Sequence, residues 1–521
     1  MFQKLISDLA KAVGLEGPLN QVATSKFTHS TTPRPRAYSL WCHKPSPSQV
    51  GDEASRVGEV ADYTAWPTLV NRLYSARHLP PASPDEMEGL PDLDKVLELF
   101  MRQDKMRKSR SSALFCFFAQ WFTDSILRID PTDRRKNTSN HDIDLCQIYG
   151  LEEETTKILR SNQQGKLRCQ VINGEIFPDY LYELDADGNL KVKDIYKDMP
   201  YLETLGIILA DAKVSVERQL KMYATGLERG NSSIGYVAIS TLFLREHNRI
   251  CDQLAATTGW DDERLFQTAR IINIVLLMKV VVEDYINHIV GASIFSLQPG
   301  LGFNEDWYRT NWIALEFDLL YRWHSLVPDY IDSGDMEPVN VETDARNNNG
   351  LLEQWGLARA FQTLSMVPAG KIGMYNVPKF LKGAEIAALR MARGFRMKSY
   401  NDYRAAFNLR RLDEFDELTR DPQMQKELRR LYTVVDRVEF LPGLFAEDAD
   451  GSVLFGELLT TMVGYDAFTQ IYTNPLLAPE IYNEKTFTAY GFELFEQTST
   501  VLDIAKRNVK GVHRAQFSFA S

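Results

Sequence analysis

Residues 311–329 read NWIALEFDLLYRWHSLVPD, and this stretch decides the fold. Its apolar positions recur at helical spacing as far as Pro328, which predicts one amphipathic helix ended by the proline. Within that helix Tyr321 and His324 are three residues apart, so they would share a face with a rise of about 4.5 Å between them. A neutral imidazole suits a haem iron, and a tyrosine one turn away is placed to lose an electron to an oxidised haem and become a radical. Taken alone, such a pair is more often structural, so its meaning depends on the rest of the chain.

Working outward, the chain reads as helix after helix from Leu202 onward. Asp261, Asp262 and Glu263 mark the positive end of the helix through RLFQTARIINIVLLMKVVVEDYINHIVG, where acids are favoured. Further helices are predicted at Ala384–Arg396, Pro422–Tyr432 and Gly456–Tyr472, and an aromatic-rich one at SSALFCFFAQWFTDSILRI. Leu167–Ile176 alternates around Asn173-Gly174, the two-residue turn of a small hairpin and the one convincing β element. The acidic loops at Asp185–Gly188 and Asp448–Gly451 lack the distant glutamate of a calcium loop and read as plain turns. Residues 1–62 are the least regular part, an arm that either lies on a membrane surface or wraps the body, with residues 63–521 as the catalytic domain.

Composition narrows the function. A chain of 521 residues can bury a large core and still enclose a pocket. The net charge of -11 argues against a nucleic-acid partner, because phosphate binding needs basic patches. The five cysteines are scattered, with no CxxC, which suits a reducing compartment and not a zinc site. The opening MFQKLISDLAKAVGLEG is interrupted by Lys4, Asp8 and Lys11 and lacks the unbroken apolar run of a secretory signal. Asn273 and Lys279 break the apolar run Ile271–Val282, which is short of the roughly 20 residues that span a bilayer. A cytoplasmic protein with peripheral membrane contact is expected.

The segments FFAQWFTD (117–124), IDLCQIYGLE (143–152), GKLRCQVINGEIFPD (165–179), LREHNRICDQL (244–254), WDDERLFQTARI (260–271), EFDLLYRWHSLVPD (316–329), SYNDYR (399–404) and EFLPGLF (439–445) occur in this order. Together they resemble the animal-type haem peroxidase superfamily, in its cyclooxygenase and fatty-acid α-dioxygenase branch. YTAWPTLVNRLYSARHLPP (63–81) is similar to the plant and fungal α-dioxygenase and diol-synthase members. The resemblance implies a mainly α, large single-domain helical haem peroxidase fold. It implies haem b with His324 as the iron ligand, and Tyr321 as the tyrosine whose radical takes hydrogen from a fatty acid before O2 adds. It also implies Gln120 as a distal glutamine and Arg229 as a distal arginine. Arg245, Glu246 and His247 belong to a family motif read as structural.

The family's distal histidine is replaced by Asp124, four residues after Gln120. An aspartate beside an arginine can move the proton that peroxide cleavage needs, as in dye-decolourising peroxidases, with Arg229 holding Asp124 ionised. The alternative is that peroxide activation is lost or slow. Thr123 and Ser232 stand where mammalian peroxidases esterify haem, so the haem should be bound non-covalently. The proximal asparagine is also absent, with Arg390 in that neighbourhood. Phe317, Leu320, Leu326, Val463 and Phe468 could wall a lipid pocket, and Arg72, Arg77 and His78 could anchor a carboxylate. Three readings stay open: a tyrosyl-radical fatty-acid dioxygenase, a haem enzyme of altered chemistry, and a haem- or lipid-binding protein that has lost catalysis.

Overall fold

The computed structural model describes residues 16–28, 66, 70–131, 133–332, 334, 337–512 and 517–521. The rest of the sequence's 1–62 arm lies outside the described residues. The helices that position the site are α1 (Glu16–Thr28), α2 (Ala113–Thr123), α3 (Ile234–Thr258), α4 (Asp262–Val280), α5 (Leu315–Leu320), α6 (Asn349–Met366), α7 (Lys382–Gly394), α8 (Glu457–Tyr472) and α9 (Val501–Asn508). Helix α3 is the axle: α2, α4, α6 and α9 all pack on it. Its interior is almost wholly buried, from Ile234 to Leu254. The fold is therefore mostly helical and built as one body around this helix.

Helix starts follow local chemistry. Ser112, Ser233 and Asp261 each accept a hydrogen bond from a backbone N–H of the first turn of α2, α3 and α4 respectively, satisfying donors that a helix cannot pair internally. Gly259 ends α3 in the left-handed conformation, φ 67°. Glu246, fully buried on α3, binds Arg249, Arg507 and Asn508. His247 is spent between Tyr149 and the Gly165 carbonyl. This motif is structural, as the sequence implied.

Two expectations need correction. The stretch 311–329 is not one helix: α5 stops at Leu320, Tyr321 sits at φ -93°, ψ 21°, and a separate 3-10 turn runs from His324 to Leu326. Tyr321 and His324 thus do not stack on one α-helical face. Trp323, His324 and Ser325 are weak helix formers, and Val327 is steered to extended geometry by Pro328. The apolar run 271–282 also belongs to a longer element. Helix continues from α4 through a π turn, Val281–Ile286, to Val290, long and apolar enough by length and composition to cross a membrane. Most of it is buried inside the protein, and Asn273 is held by the Tyr149 hydroxyl and the Phe243 carbonyl, so it reads as a core helix.

The strands are short and paired two by two. They are β1 (Lys108–Ser112), whose partner is distant; β2 (Cys169–Ile172) with β3 (Glu175–Pro178); β4 (Tyr182–Leu184) with β5 (Leu190–Val192); β6 (Tyr330–Ile331) with β7 (Val339–Asn340); and β8 (Pro368–Gly370), which pairs with β1. The β2–β3 hairpin turns on Asn173 (φ 51°) and Gly174 (φ 80°), as predicted. It is not the only β element, because the Asp185–Gly188 turn joins β4 to β5. At β8 a Cβ on Gly370 would lie 2.0 Å from the Ser325 carbonyl oxygen, so glycine is what lets this strand lie against the turn that carries His324.

Candidate functional site

The break after α5 aims His324 at a specific partner. Its Nδ1 lies 2.7 Å from Oε2 of Glu385, a residue in the first turn of α7 that is 1% exposed. With Nδ1 so engaged, Nε2 is the nitrogen available to a ligand. Among the described residues no three His, Cys, Asp or Glu side chains gather to hold a bare metal ion. A single oriented imidazole suits iron whose in-plane ligands come from a porphyrin, so these residues fit a haem. The sequence placed Arg390 in the neighbourhood of the proximal asparagine. The residue on His324 is instead Glu385, five positions earlier on the same helix.

Tyr321 is enclosed by rings. Its centroid is 4.5 Å from Trp323 and 5.1 Å from Phe317. Tyr285, presented by the π turn, is the other phenol beside it. The two influence each other's ionisation, although among the described residues the Tyr285 hydroxyl has no hydrogen-bond partner. Burial pushes the Tyr321 phenol up, with Tyr285 drawing it back and the Asp466 charge adding to the rise. Tyr321 is thereby kept as a neutral O–H. Tyr285 itself stacks on Phe115 at 5.2 Å and meets Phe118 at 5.4 Å. Sequence reasoning missed Tyr285, whose contacts come from a distant helix.

Asp124 caps the C-terminus of α2, and its N–H donates to the Gln120 carbonyl at 3.1 Å, so Gln120 and Asp124 lie one turn apart as the i, i+4 spacing predicted. Asp124 Oδ2 accepts from the Tyr236 hydroxyl at 3.1 Å, and Oδ1 is 3.8 Å from Nη1 of Arg229. Behind them Arg128 Nη2 donates to both oxygens of Glu228, at 2.9 and 2.7 Å. Burial pushes the Asp124 carboxyl up by more than Arg229 and Arg128 pull it down. Arg229 pulls the carboxyl down, in the sense expected of a residue that keeps it ionised, but a 60% exposed guanidinium at 3.8 Å is screened by water, and burial sets the net direction upward. Arg229 also bears on Asp318, which pairs with Arg322 beside Tyr321. Arg229 is thus close enough to act electrostatically on both Asp124 and Asp318.

The anchor candidates separate. Arg77 is buried and donates to the carbonyls of Leu79 and Phe395 at 3.0 and 2.7 Å. Arg72 donates to the Asn311 carbonyl at 2.5 Å. These hydrogen bonds tie each arginine to main chain, although among the described residues Arg72 Nε has no partner. His78 Nε2 is 2.8 Å from Asp466 Oδ2, and Asp466 acts on Tyr321, so His78 alone of the three joins the tyrosine's surroundings. Phe317, Leu320, Leu326, Val463 and Phe468 are all buried. His141 is structural, between the Ile313 N–H and the Arg72 carbonyl.

The family model for animal haem peroxidase matches residues 102–519. Prostaglandin G/H synthase 2 of Equus caballus is 32% identical over 472 residues, 88% of this chain and 74% of the relative. Peroxidase A from Dictyostelium discoideum superposes with a TM-score of 0.69 at 19% identity, covering 86% of this chain and 95% of its own. The fatty acid alpha-dioxygenase of Arabidopsis thaliana does so with a TM-score of 0.69 at 16% identity, covering 86% and 80%. At such identities these two structures establish the shared fold.

Proposed function

The chain belongs to the animal haem peroxidase family and is a haem oxidoreductase, and from that premise we propose that it is a tyrosyl-radical fatty-acid dioxygenase. In this reading the Tyr321 radical takes a hydrogen atom from a lipid chain, re-forming the phenol, O2 adds to the carbon radical, and the peroxyl radical takes the hydrogen atom back from the phenol, giving a lipid hydroperoxide and restoring the tyrosyl radical. The observation that carries it is the packing of Tyr321 against Phe317 and Trp323, three residues from an imidazole fixed by Glu385.

Haem b, held non-covalently, would supply the oxidising equivalent drawn from a hydroperoxide. Thr123 and Ser232 offer it no carboxylate to esterify. His324 would hold it through Nε2. Asp124 Oδ1, the oxygen not taken by Tyr236, would accept a peroxide proton and return it, with Gln120 and Arg229 as hydrogen-bond donors. A positioned carboxyl can take a proton and return it. The desolvation that pushes the Tyr321 phenol up keeps its proton on oxygen until it leaves with the electron. Buried Phe317, Leu320 and Val463 would give a fatty chain an apolar boundary. A cytoplasmic location with peripheral membrane contact belongs to the same proposal, and the exposed Trp66, Val70 and Leu73 favour it.

The test is O2 uptake by haem-loaded protein with a fatty-acid panel and a trace of hydroperoxide. Tyr321→Phe should lower uptake at least about a hundredfold while its Soret band stays normal. Full uptake by the variant would refute the reading. Asp124 in place of histidine, with its loose contact to Arg229, favours a second reading, a haem enzyme that rearranges hydroperoxide or oxidises non-lipid substrates. Hydroperoxide consumption without O2 uptake would select it, and tight haem and lipid binding without turnover would select a binding role.

A further inference from the structure

We propose that Glu385 is a positioning residue that sets how strongly His324 donates to haem iron, by giving the ring an anionic partner where a neutral one would suffice for orientation. This rests on the haem reading above. The geometry is specific. Glu385 Oε2 is 2.7 Å from His324 Nδ1, while among the described residues Oε1 accepts no hydrogen bond, and Glu385 is 1% exposed. Among those residues its carboxylate is therefore directed at one imidazole and shared with no other hydrogen-bond donor. Its place in the first turn of α7 puts the negative charge at the positive end of that helix, which lowers the cost of keeping it buried.

An Nδ1–H that donates to a carboxylate moves electron density toward Nε2 more than one that donates to a neutral oxygen. A stronger axial donor favours ferric over ferrous iron. This protein would then hold its iron in the state that reacts with hydroperoxide, and away from reversible O2 binding.

The experiment compares wild type and Glu385→Gln, each loaded with haem, for the ferric/ferrous midpoint potential and the iron–histidine stretching band of the ferrous form. The amide oxygen keeps an acceptor and removes the charge. The expected result is at least a tenfold loss of ferric preference, an upward shift of about 59 mV, with the stretching band moved to lower frequency. Glu385→Asp should recover part of both. Unchanged potential and band in Glu385→Gln would overturn the inference. If that variant does not fold, the wild-type band decides. It should lie above that of a haem protein whose axial imidazole donates to a backbone carbonyl, and an equal frequency overturns the inference. Absence of any His324–iron band in wild type overturns both this inference and the haem site, whereas a normal band unresponsive to Glu385→Gln overturns this inference alone.

Discussion

At Asp124 two opposing effects meet, and their balance should be readable as a pH profile. Burial raises the carboxyl, while Arg229, Arg128 and the Tyr236 hydroxyl lower it. If Asp124 acts as the base, hydroperoxide consumption requires its ionised form. The rate should therefore fall on acidification while the pH is still above the ordinary carboxylate range, and Arg229→Gln should move that limb to higher pH. Stopped-flow rates across pH would show it, and an acid limb that survives in Asp124→Asn would assign the limb to another group. The sequence located Asp124, Gln120, Tyr321 and His324 because they lie inside continuous motifs. It could not supply Glu385, Tyr236 or Tyr285, each brought in from another element by tertiary packing. Arg390 drew attention because motif spacing alone could not say which turn of α7 faces the histidine.

Capping residues carried the helix starts reliably, since Asp261 acts within three residues of itself. Periodicity was less reliable where it ran across a break: apolar spacing continues through Tyr321 and Trp323 although the backbone does not. The π turn after α4 is equally silent in sequence, yet it carries both Asp284 and Tyr285. Asp284 accepts the Val501 N–H at the start of α9, and burial, with the Asp503 charge against that hydrogen bond, pushes its carboxyl up from 3.8 to about 7. The unfolded chain ionises this group near its ordinary value, so the stability it contributes is fully present below about 3.8 and is lost as pH rises through about 7. Asp284→Asn keeps the acceptor and removes the titration. Its melting temperature should gain on wild type as pH rises from about 4 to about 7. A difference independent of pH would show that Asp284 titrates normally.

For the molecule as a whole, the ordered motifs were enough to specify a helical haem-peroxidase body, because they span the packed core around α3. They carried little about the first helix, which has no motif. Yet α1 is seated on that body: Asn20 Nδ2 donates to the Ser296 carbonyl at 2.5 Å, and Phe27 meets Phe295 and Phe468 at 6.1 and 5.8 Å. A chain shortened to residues 63–521 should expose that aromatic seat and aggregate in light scattering while the full chain does not. A monodisperse shortened chain would show the seat to be dispensable. The same contact has a consequence for biosynthesis. Asn20 leaves the ribosome 276 residues ahead of its partner Ser296, and Phe468 follows later still. Helix α1 must wait undocked until Phe468 has emerged, so closure of this seam is a late event in folding.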